Sequence, residues 1–282
     1  MTPTRRSLLR TLAASSATAA LFAAGVPGAA EAASLAEIKK RGTLLVATED
    51  DYAPFEFVKD GTPMGYDQDL LEAMKSSLSV KVHQDIIPWT GILPGVTTGK
   101  YDVAVTAILV TAERVKALDF CSPVAESVDY YMKRKSDASI TAIKDLSGKP
   151  LGVEAGSAML KLLPQLADML KKTGGTLGKV VQYQGYPEAY QDLALGRVDY
   201  VVNTLLSLQS VAKERPGAFA VGQAVSKPVY IAWAVQKGNT GLRNLINAEL
   251  AKLRKNGTMA KLQQKYFDMT FDHLPVKPIA NV

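Results

Sequence analysis

Three short stretches of this sequence carry residue types that can hold or transform a small polar molecule, and each follows an apolar run. The first is Glu49-Asp50-Asp51-Tyr52, an acidic cluster beside an aromatic ring, directly after Thr43-Leu44-Leu45-Val46-Ala47. Carboxylates at that place can hold a cationic group while Tyr52 stacks on its apolar stem. The second runs from Thr106 to Arg114, after Val103-Ala104-Val105. Thr111 suits a helix N-cap, which leaves backbone N–H groups near Ala107 and Leu109 for an anion, and Arg114 can add a bidentate grip on a carboxylate. Arg114 suits a surface ion pair with Glu113 or Asp119 equally well. The third is Glu154-Ala155-Gly156-Ser157-Ala158, after Leu151-Gly152-Val153, where Ser157 can cap a helix or donate to a ligand. Trp89, in Ile87-Pro88-Trp89-Thr90-Gly91, offers either an aromatic wall opposite Tyr52 or an ordinary core side chain. Phe55 and Phe57 read as core.

Other chemistries are excluded by what the chain lacks. It has no GxGxxG, no phosphate-loop signature, no HExxH and no GxSxG. One cysteine, Cys121, permits no internal disulfide and reads as a buried inert thiol. With two histidines, His83 and His273, a Cys/His zinc centre is not expected. No metal or cofactor is expected. The net charge of +6 raises the question of nucleic acid, but the basic residues are scattered and rarely interleaved with aromatics, so none is expected as a partner.

The elements that must position these residues follow from periodicity. Short apolar runs alternate with amphipathic ones, which predicts an α/β architecture. Strands are predicted at 43–47, 80–82, 103–105, 151–153, 179–183 and 198–202. Helices are predicted through Tyr66–Leu78, Gly91–Thr98, Ser157–Lys172 with an interruption near Pro164, Pro187–Leu195, and Leu242–Leu253, closed by Asn256-Gly257. Gly99-Lys100-Tyr101-Asp102-Val103 is echoed by Gly196-Arg197-Val198-Asp199-Tyr200, each closing a helix and opening a strand. The echo predicts two similar lobes. Extended crossings are expected at Asp129–Met132 and Val229–Trp233, giving a hinge with a ligand cleft between the lobes.

The first residues read as an address. Arg5 and Arg6 precede an Ala- and Leu-rich run, Pro27-Gly28 breaks it, and Ala30-Glu31-Ala32 is a small-x-small cleavage site. This is the order of an export signal, of the twin-arginine type or of the general secretory type. Cleavage after Ala32 lowers the net charge from +6 to +4. No cysteine lies near that site and no later run reaches about 18 apolar residues, so the mature chain is expected to be soluble, periplasmic and without a lipid anchor. The expected division is 1–32 export signal, 33–130 first part of lobe 1, 131–229 lobe 2, and 230–282 the completion of lobe 1.

In this order the motifs resemble family 3 of the extracellular solute-binding proteins, the polar-amino-acid receptors of ABC importers. The markers are Asp51-Tyr52-Ala53-Pro54-Phe55, Gly65-Tyr66-Asp67-Gln68-Asp69-Leu70, Trp89 with Gly91-Ile92-Leu93-Pro94, Thr111 to Arg114 with Asp119-Phe120, Gly196 to Asp199, and Leu253 to Thr258. The resemblance spans about residues 38 to 268. It implies a two-lobe periplasmic-binding-protein fold, each lobe a mostly parallel sheet flanked by helices. It implies a monomer that delivers its ligand to an inner-membrane permease and performs no chemistry. By position, Tyr52 and Trp89 would pack on the ligand. Arg114 would grip its carboxylate with backbone N–H groups around Thr106, Ala107 and Leu109 and at Ser157 and Ala158. Glu49 and Glu154 would meet its side chain, and Asn203 and Thr204 would lie on the loop after the last strand of lobe 2. Two positions depart from the family. Leu109 stands where a hydroxyl is usual, and Thr204 stands where an aspartate usually pairs with the α-ammonium. The implied ligand is therefore an amino acid or a related small polar carboxylate. The alternative is an enzyme on the same fold, such as a cyclohexadienyl dehydratase, with Glu154 or Glu49 as general acid.

Overall fold

The computed structural model describes residues 33–280. The segment 1–32, read above as an export signal, lies outside the described residues. The chain enters through helix α1 (Leu35–Arg41), capped reciprocally by Ser34 and Glu37. Strand β1 (Thr43–Thr48) follows, then three short strands, β2 (Asp51–Tyr52), β3 (Glu56–Lys59) and β4 (Thr62–Met64). Helix α2 (Tyr66–Lys75), strand β5 (Lys81–Ile86), helix α3 (Trp89–Thr97) and strand β6 (Val103–Ala104) come next. A single turn of helix, α4 (Arg114–Ala117), leads into β7 (Leu118–Phe120), β8 (Ala125–Ser127) and β9 (Asp129–Arg134).

The second half repeats the alternation. It runs β10 (Leu151–Glu154), α5 (Ala158–Lys171), β11 (Val180–Tyr183), α6 (Tyr186–Ala194), β12 (Tyr200–Thr204) and α7 (Leu205–Glu214). Strands β13 (Phe219–Ala224), β14 (Val229–Ile231) and β15 (Ala234–Gln236) precede helices α8 (Thr240–Lys255) and α9 (Thr258–Phe267). One sheet has the order β5-β1-β6-β15-β7 and the other β11-β10-β12-β9-β13. In each, four strands run in one direction and one runs against its neighbours, β15 in the first sheet and β9 in the second. Their central strands are buried runs, as sheets covered by helices require. The repeated glycine motif is structural: Gly99 and Gly196 both stand at φ +76° just beyond a helix, a conformation that side chains with a Cβ rarely adopt.

Where the two sheets meet, β8 and β14 pair as an antiparallel two-stranded ribbon, Val229 opposite Ser127 and Ile231 opposite Ala125. The run Asp129–Met132, expected as a crossing, is instead the start of β9 inside the second sheet. The passage lies one element earlier because the β9 backbone is claimed by β12 on one side and β13 on the other. Helix α5 continues through Pro164 where an interruption was expected. Its buried face of Met159, Leu162, Leu163, Leu166 and Leu170 holds it together. Among the described residues no helix is long and apolar enough to cross a membrane.

Candidate functional site

The cleft between the lobes contains a small cavity lined by Glu49, Tyr52, Trp89, Ala107, Leu109, Arg114, Glu154, Ser157, Ala158 and Met159. Its walls come from loops at the carboxyl ends of β1, β6 and β10, the place where α/β sheets present ligand groups. Nine of the ten are residues singled out from the sequence. Met159 was not anticipated. It sits one residue into the first turn of α5, and nothing in its local pattern separates it from the apolar face of that helix.

Three expected site residues lie outside the cavity lining, and their polar groups are used within the protein. Thr106 Oγ1 donates to Glu56 and lies 3.4 Å from Glu49 Oε2. Asn203 Oδ1 accepts from Tyr52 OH at 2.7 Å, and its amide donates to Tyr190 OH at 2.9 Å. Thr204 Oγ1 lies 3.2 Å from both Tyr52 OH and Ser207 Oγ. Tyr52 therefore ties β2 to the end of β12 across the cleft. Its ring packs on Phe55 and Tyr186, with centroids 5.9 and 5.8 Å apart, and it lines the same cavity as Trp89. The face of Trp89 is covered by the Arg114 guanidinium, 5.0 Å from the ring centroid. Phe55 is core as expected, while Phe57 is half-buried on the β3 strand.

Arg114 makes neither of the surface ion pairs that its neighbours suggested. Glu113 pairs with Lys161 across the cleft mouth, and Asp119 pairs with Lys237 and Arg243. Arg114 itself donates to Leu109 O at 3.1 Å within its own lobe and to Gly156 O at 3.3 Å in the other. That engages two of the five N–H groups a guanidinium carries. The atoms packed around it push its pKa down to about 10, against the pull of Glu154 and other nearby acidic groups. Thr111 accepts from the Arg114 N–H at 3.2 Å, as a cap would. The helix it opens is only one turn, however, so it offers no helix-end anion site of its own. Ser157 precedes the much longer α5, but its hydroxyl donates to Glu154 O at 2.8 Å rather than capping.

The acidic side of the cavity is unusual in its crowding. One carboxylate oxygen from each of Glu49, Asp51 and Glu154 lies within 4.8 Å of the others. Glu49 and Asp51 follow β1, and Glu154 ends β10, so the cluster is split between the lobes. Glu49 and Glu154 are each 3% exposed, and Oε1 of each has no donor from the protein. One oxygen of each lies within 4.8 Å of the other, so burial and the neighbouring charge both favour the protonated form. Burial, then the charge of Glu154, holds Glu49 well above the usual carboxylate range. Burial, then Asp51, pushes Glu154 up to about 8. Asp51 rises to about 6 for the same first reason, with Asp50 adding to it. A Cβ on Gly185, at the start of α6, would come within 2.4 Å of Asp51 Oδ2, which shows how closely the second lobe approaches this cluster.

Behind the cavity lies a second buried acid pair, Glu56 and Asp67. Glu56 Oε1 accepts from the Thr106 hydroxyl and from the Ala107 N–H at 3.3 Å. Asp67 Oδ1 accepts from Trp233 Nε1 at 2.7 Å. The sequence signal for this pair was an acid set between Phe55 and Phe57, but its partner eleven residues on could not be told from a surface aspartate.

Comparison with known proteins agrees with this architecture. The family model for bacterial extracellular solute-binding proteins, family 3, matches residues 44–269. The L-cystine-binding protein TcyJ of Escherichia coli (strain K12) is 30% identical over 236 residues, covering 83% of this chain and 85% of that protein. An ancestral arginine-binding protein bound to arginine superposes with a TM-score of 0.73 at 33% identity, covering 80% of this chain and 99% of the other. The ancestral amino acid-binding protein AncCDT-1, described as a precursor of cyclohexadienyl dehydratase, gives 0.73 at 31%, with 82% and 98% covered.

Proposed function

From the premise that the chain belongs to the bacterial extracellular solute-binding proteins of family 3, we propose how it takes up its ligand. Its role is to bind a solute and not to transform it. The ligand is an amino acid or a related small polar carboxylate, captured in the cavity between the lobes and passed to the membrane permease of an ABC importer. The relatives named above support that class, since their own ligands are cystine, arginine and amino acids.

The observation that carries the reading is Arg114. It lines a cavity walled by both lobes, with only two of its N–H groups engaged. A ligand carboxylate fits the remaining N–H groups, assisted by the backbone N–H groups of Ala158 and Met159 at the start of α5. Trp89 supports the guanidinium from behind, and Leu109 supplies an apolar wall with its backbone. Glu49 and Glu154 face the rest of the ligand. Thr106, Asn203 and Thr204 act as supports, holding Glu56 and Tyr52 in place. The β8–β14 ribbon is the hinge about which the lobes move.

The dehydratase alternative fits less well. AncCDT-1, described as a precursor of such a dehydratase, is itself an amino acid-binding protein. We further propose that residues 1–32 are an export signal of the twin-arginine type, that the mature chain works in the periplasm, and that it acts as a monomer. Signal cleavage after Ala32 is checked by N-terminal sequencing of the exported protein.

Titration calorimetry with the ligand found by a thermal-shift screen tests the site, because a ligand that binds the folded state raises its unfolding temperature. Arg114→Ala should lower affinity by about 2–5 kcal/mol, the range for cutting a buried hydrogen-bonded charge contact. Titration of that variant indistinguishable from the wild type would remove Arg114 from the site.

A further inference from the structure

The passage between the lobes carries a buried acid that neither the cavity nor the hydrogen bonding of the fold uses. We infer that Asp129 is a proton-operated stiffener of the hinge: its neutral carboxyl keeps the two chain passages joined, and its ionisation loosens them. The inference rests on the reading above that the β8–β14 ribbon is the hinge. It concerns how easily the lobes move, not what the cavity holds.

Three observations carry it. The first is position. Asp129 opens β9, two residues beyond the end of β8, and its main chain ties the outgoing passage to the returning one. Its N–H donates to Ser226 Oγ at 2.9 Å, and its carbonyl accepts from the Val225 N–H at 2.8 Å, just before β14. Beside it, Val128 O accepts from the Leu205 N–H at 2.9 Å, at the start of α7. The second observation is the side chain. Asp129 is 1% exposed, and neither carboxylate oxygen receives a donor from the described residues. The third is its electrostatic surroundings. The elements packed against β9 are β12, β13, α6 and α7. Strand β12 sets Thr204 directly opposite and has Tyr200 as its one titratable group, while β13 has none. Helix α6 carries Tyr186, Glu188, Tyr190 and Asp192, and Tyr186, raised chiefly by burial, also feels the charge of Asp129. Helix α7 has Lys213 and Glu214 in its last turn, far from Thr204. On β9 itself Lys133 and Arg134 stand at the other end, Glu126 on β8 is an acid, and Lys227 beside Ser226 is exposed. None of these charges offsets that of Asp129: burial is the single cause that moves its pKa, up to about 7.

The consequence follows from burial without a partner. A neutral carboxyl loses little in such a place, whereas a bare carboxylate is costly until water or a donor reaches it. The main chain of Asp129 forms the very bonds that join the passages, so a carboxylate that turns towards water must strain or release them. The sign is fixed by the direction of the shift. The stabilisation of the joined hinge is complete below 3.8, the ordinary value, and is lost as pH rises through about 7. The hinge is therefore stiffest in acid and loosest above neutrality. Asp129 does not line the ligand cavity, so this proton is distinct from those of Glu49 and Glu154.

Amide hydrogen exchange of the ligand-free protein tests this, read by mass spectrometry and corrected for the intrinsic pH dependence of exchange. Peptides spanning 124–132 and 222–231 report the two passages, and a peptide from α8 reports the body of the first lobe. Local opening of the two passages should rise about tenfold or more between pH 5 and 7, and α8 should change less. Asp129→Asn, which is neutral at every pH, should flatten the rise. If that variant fails to fold, judged by circular dichroism, Asp129→Leu takes its place. If neither folds, the wild-type contrast between the passages and α8 decides. An unchanged rise in a folded variant would hand the effect to Glu154, Asp51 or Asp67 and overturn the inference. So would passages whose protection in the wild type ignores pH, or a rise shared equally by α8. The receptor reading fails separately, if no amino acid or organic acid raises the unfolding temperature, and exchange measured without ligand does not depend on it.

Discussion

Two buried acid pairs lie on either side of Thr106, and they are built on opposite plans. Glu56 and Asp67 belong to one lobe and receive three donors from it: the Thr106 hydroxyl, the Ala107 N–H and the Trp233 indole. Glu49 and Glu154 belong to different lobes and receive only a long contact from Thr106 to Glu49. Both pairs are held above the usual carboxylate range by burial. All four leave one oxygen without a donor, Oε1 in Glu49 and Glu154, Oε2 in Glu56 and Oδ2 in Asp67. But a buried acid whose other oxygen is held by donors of its own lobe is part of the fold, since those bonds persist wherever the lobes stand. A buried acid whose burial depends on the other lobe is part of the moving site. Exposure alone would have grouped the four together: Glu49 and Glu154 are 3% exposed and Glu56 is 1% exposed.

The largest effect expected from this contrast is on stability. Asp67→Ala strips the Trp233 indole of its acceptor and leaves Glu56 without its partner, and should cost about 3 kcal/mol. Glu154→Gln should change the unfolding free energy by less than about 1 kcal/mol, because no protein donor is orphaned. Urea unfolding of the two variants beside the wild type measures both. If Glu154→Gln proved as costly as Asp67→Ala, the division into structural and moving pairs would collapse.

The same contrast explains what could be read from the sequence. The strands were legible because buried apolar runs such as Leu44–Ala47 and Leu151–Val153 are bounded by glycines that must leave the helix or turn. The cavity residues were legible because they occupy loops at strand ends, where Glu49, Arg114 and Glu154 had chemistry and no apolar neighbours to hide among. The assignment of Thr106, Asn203 and Thr204 was not legible at that level. Tyr52 and Asn203 are 151 residues apart, and their bond exists only because two lobes meet. Nor could spacing show that the helix after Thr111 would stop at one turn, since Leu118 is drawn into β7 by pairing with β15.

Titration gives the next effect. A carboxyl group held above its ordinary value favours the folded, closed protein in its protonated form. For Glu154 that contribution is complete below 4.5 and is lost as pH rises through about 8. The ligand-free protein should therefore lose stability with rising pH across that window. Asp51, Asp67 and Asp129, raised by burial to about 6, 6 and 7, add to the loss with the same sign. The share that belongs to the cleft is the difference between wild type and Glu154→Gln in unfolding temperature measured across the window. The two curves should diverge below about 8, and parallel curves would assign the whole effect to the other acids. A cationic ligand should show the opposite trend, gaining affinity as pH rises, because it must displace the protons that burial favours on Glu49 and Glu154.

The smallest effect concerns the bond that latches the lobes without charge. Tyr52 OH donates to Asn203 Oδ1 across the cleft and lies within reach of Thr204 Oγ1. Tyr52→Phe keeps the ring against Phe55 and Tyr186 and removes only the hydroxyl. Asn203 Oδ1 still accepts from the Thr204 backbone N–H at 2.7 Å, so no buried acceptor is left bare. The loss should therefore be that of one net hydrogen bond, about 1 kcal/mol, and it should fall on ligand affinity rather than on the stability of the open protein. Calorimetry and ligand-free unfolding, run on the same preparation, separate the two. An equal loss in both would mean that Tyr52 belongs with Glu56 and Asp67, among the groups that hold the protein together irrespective of the cleft.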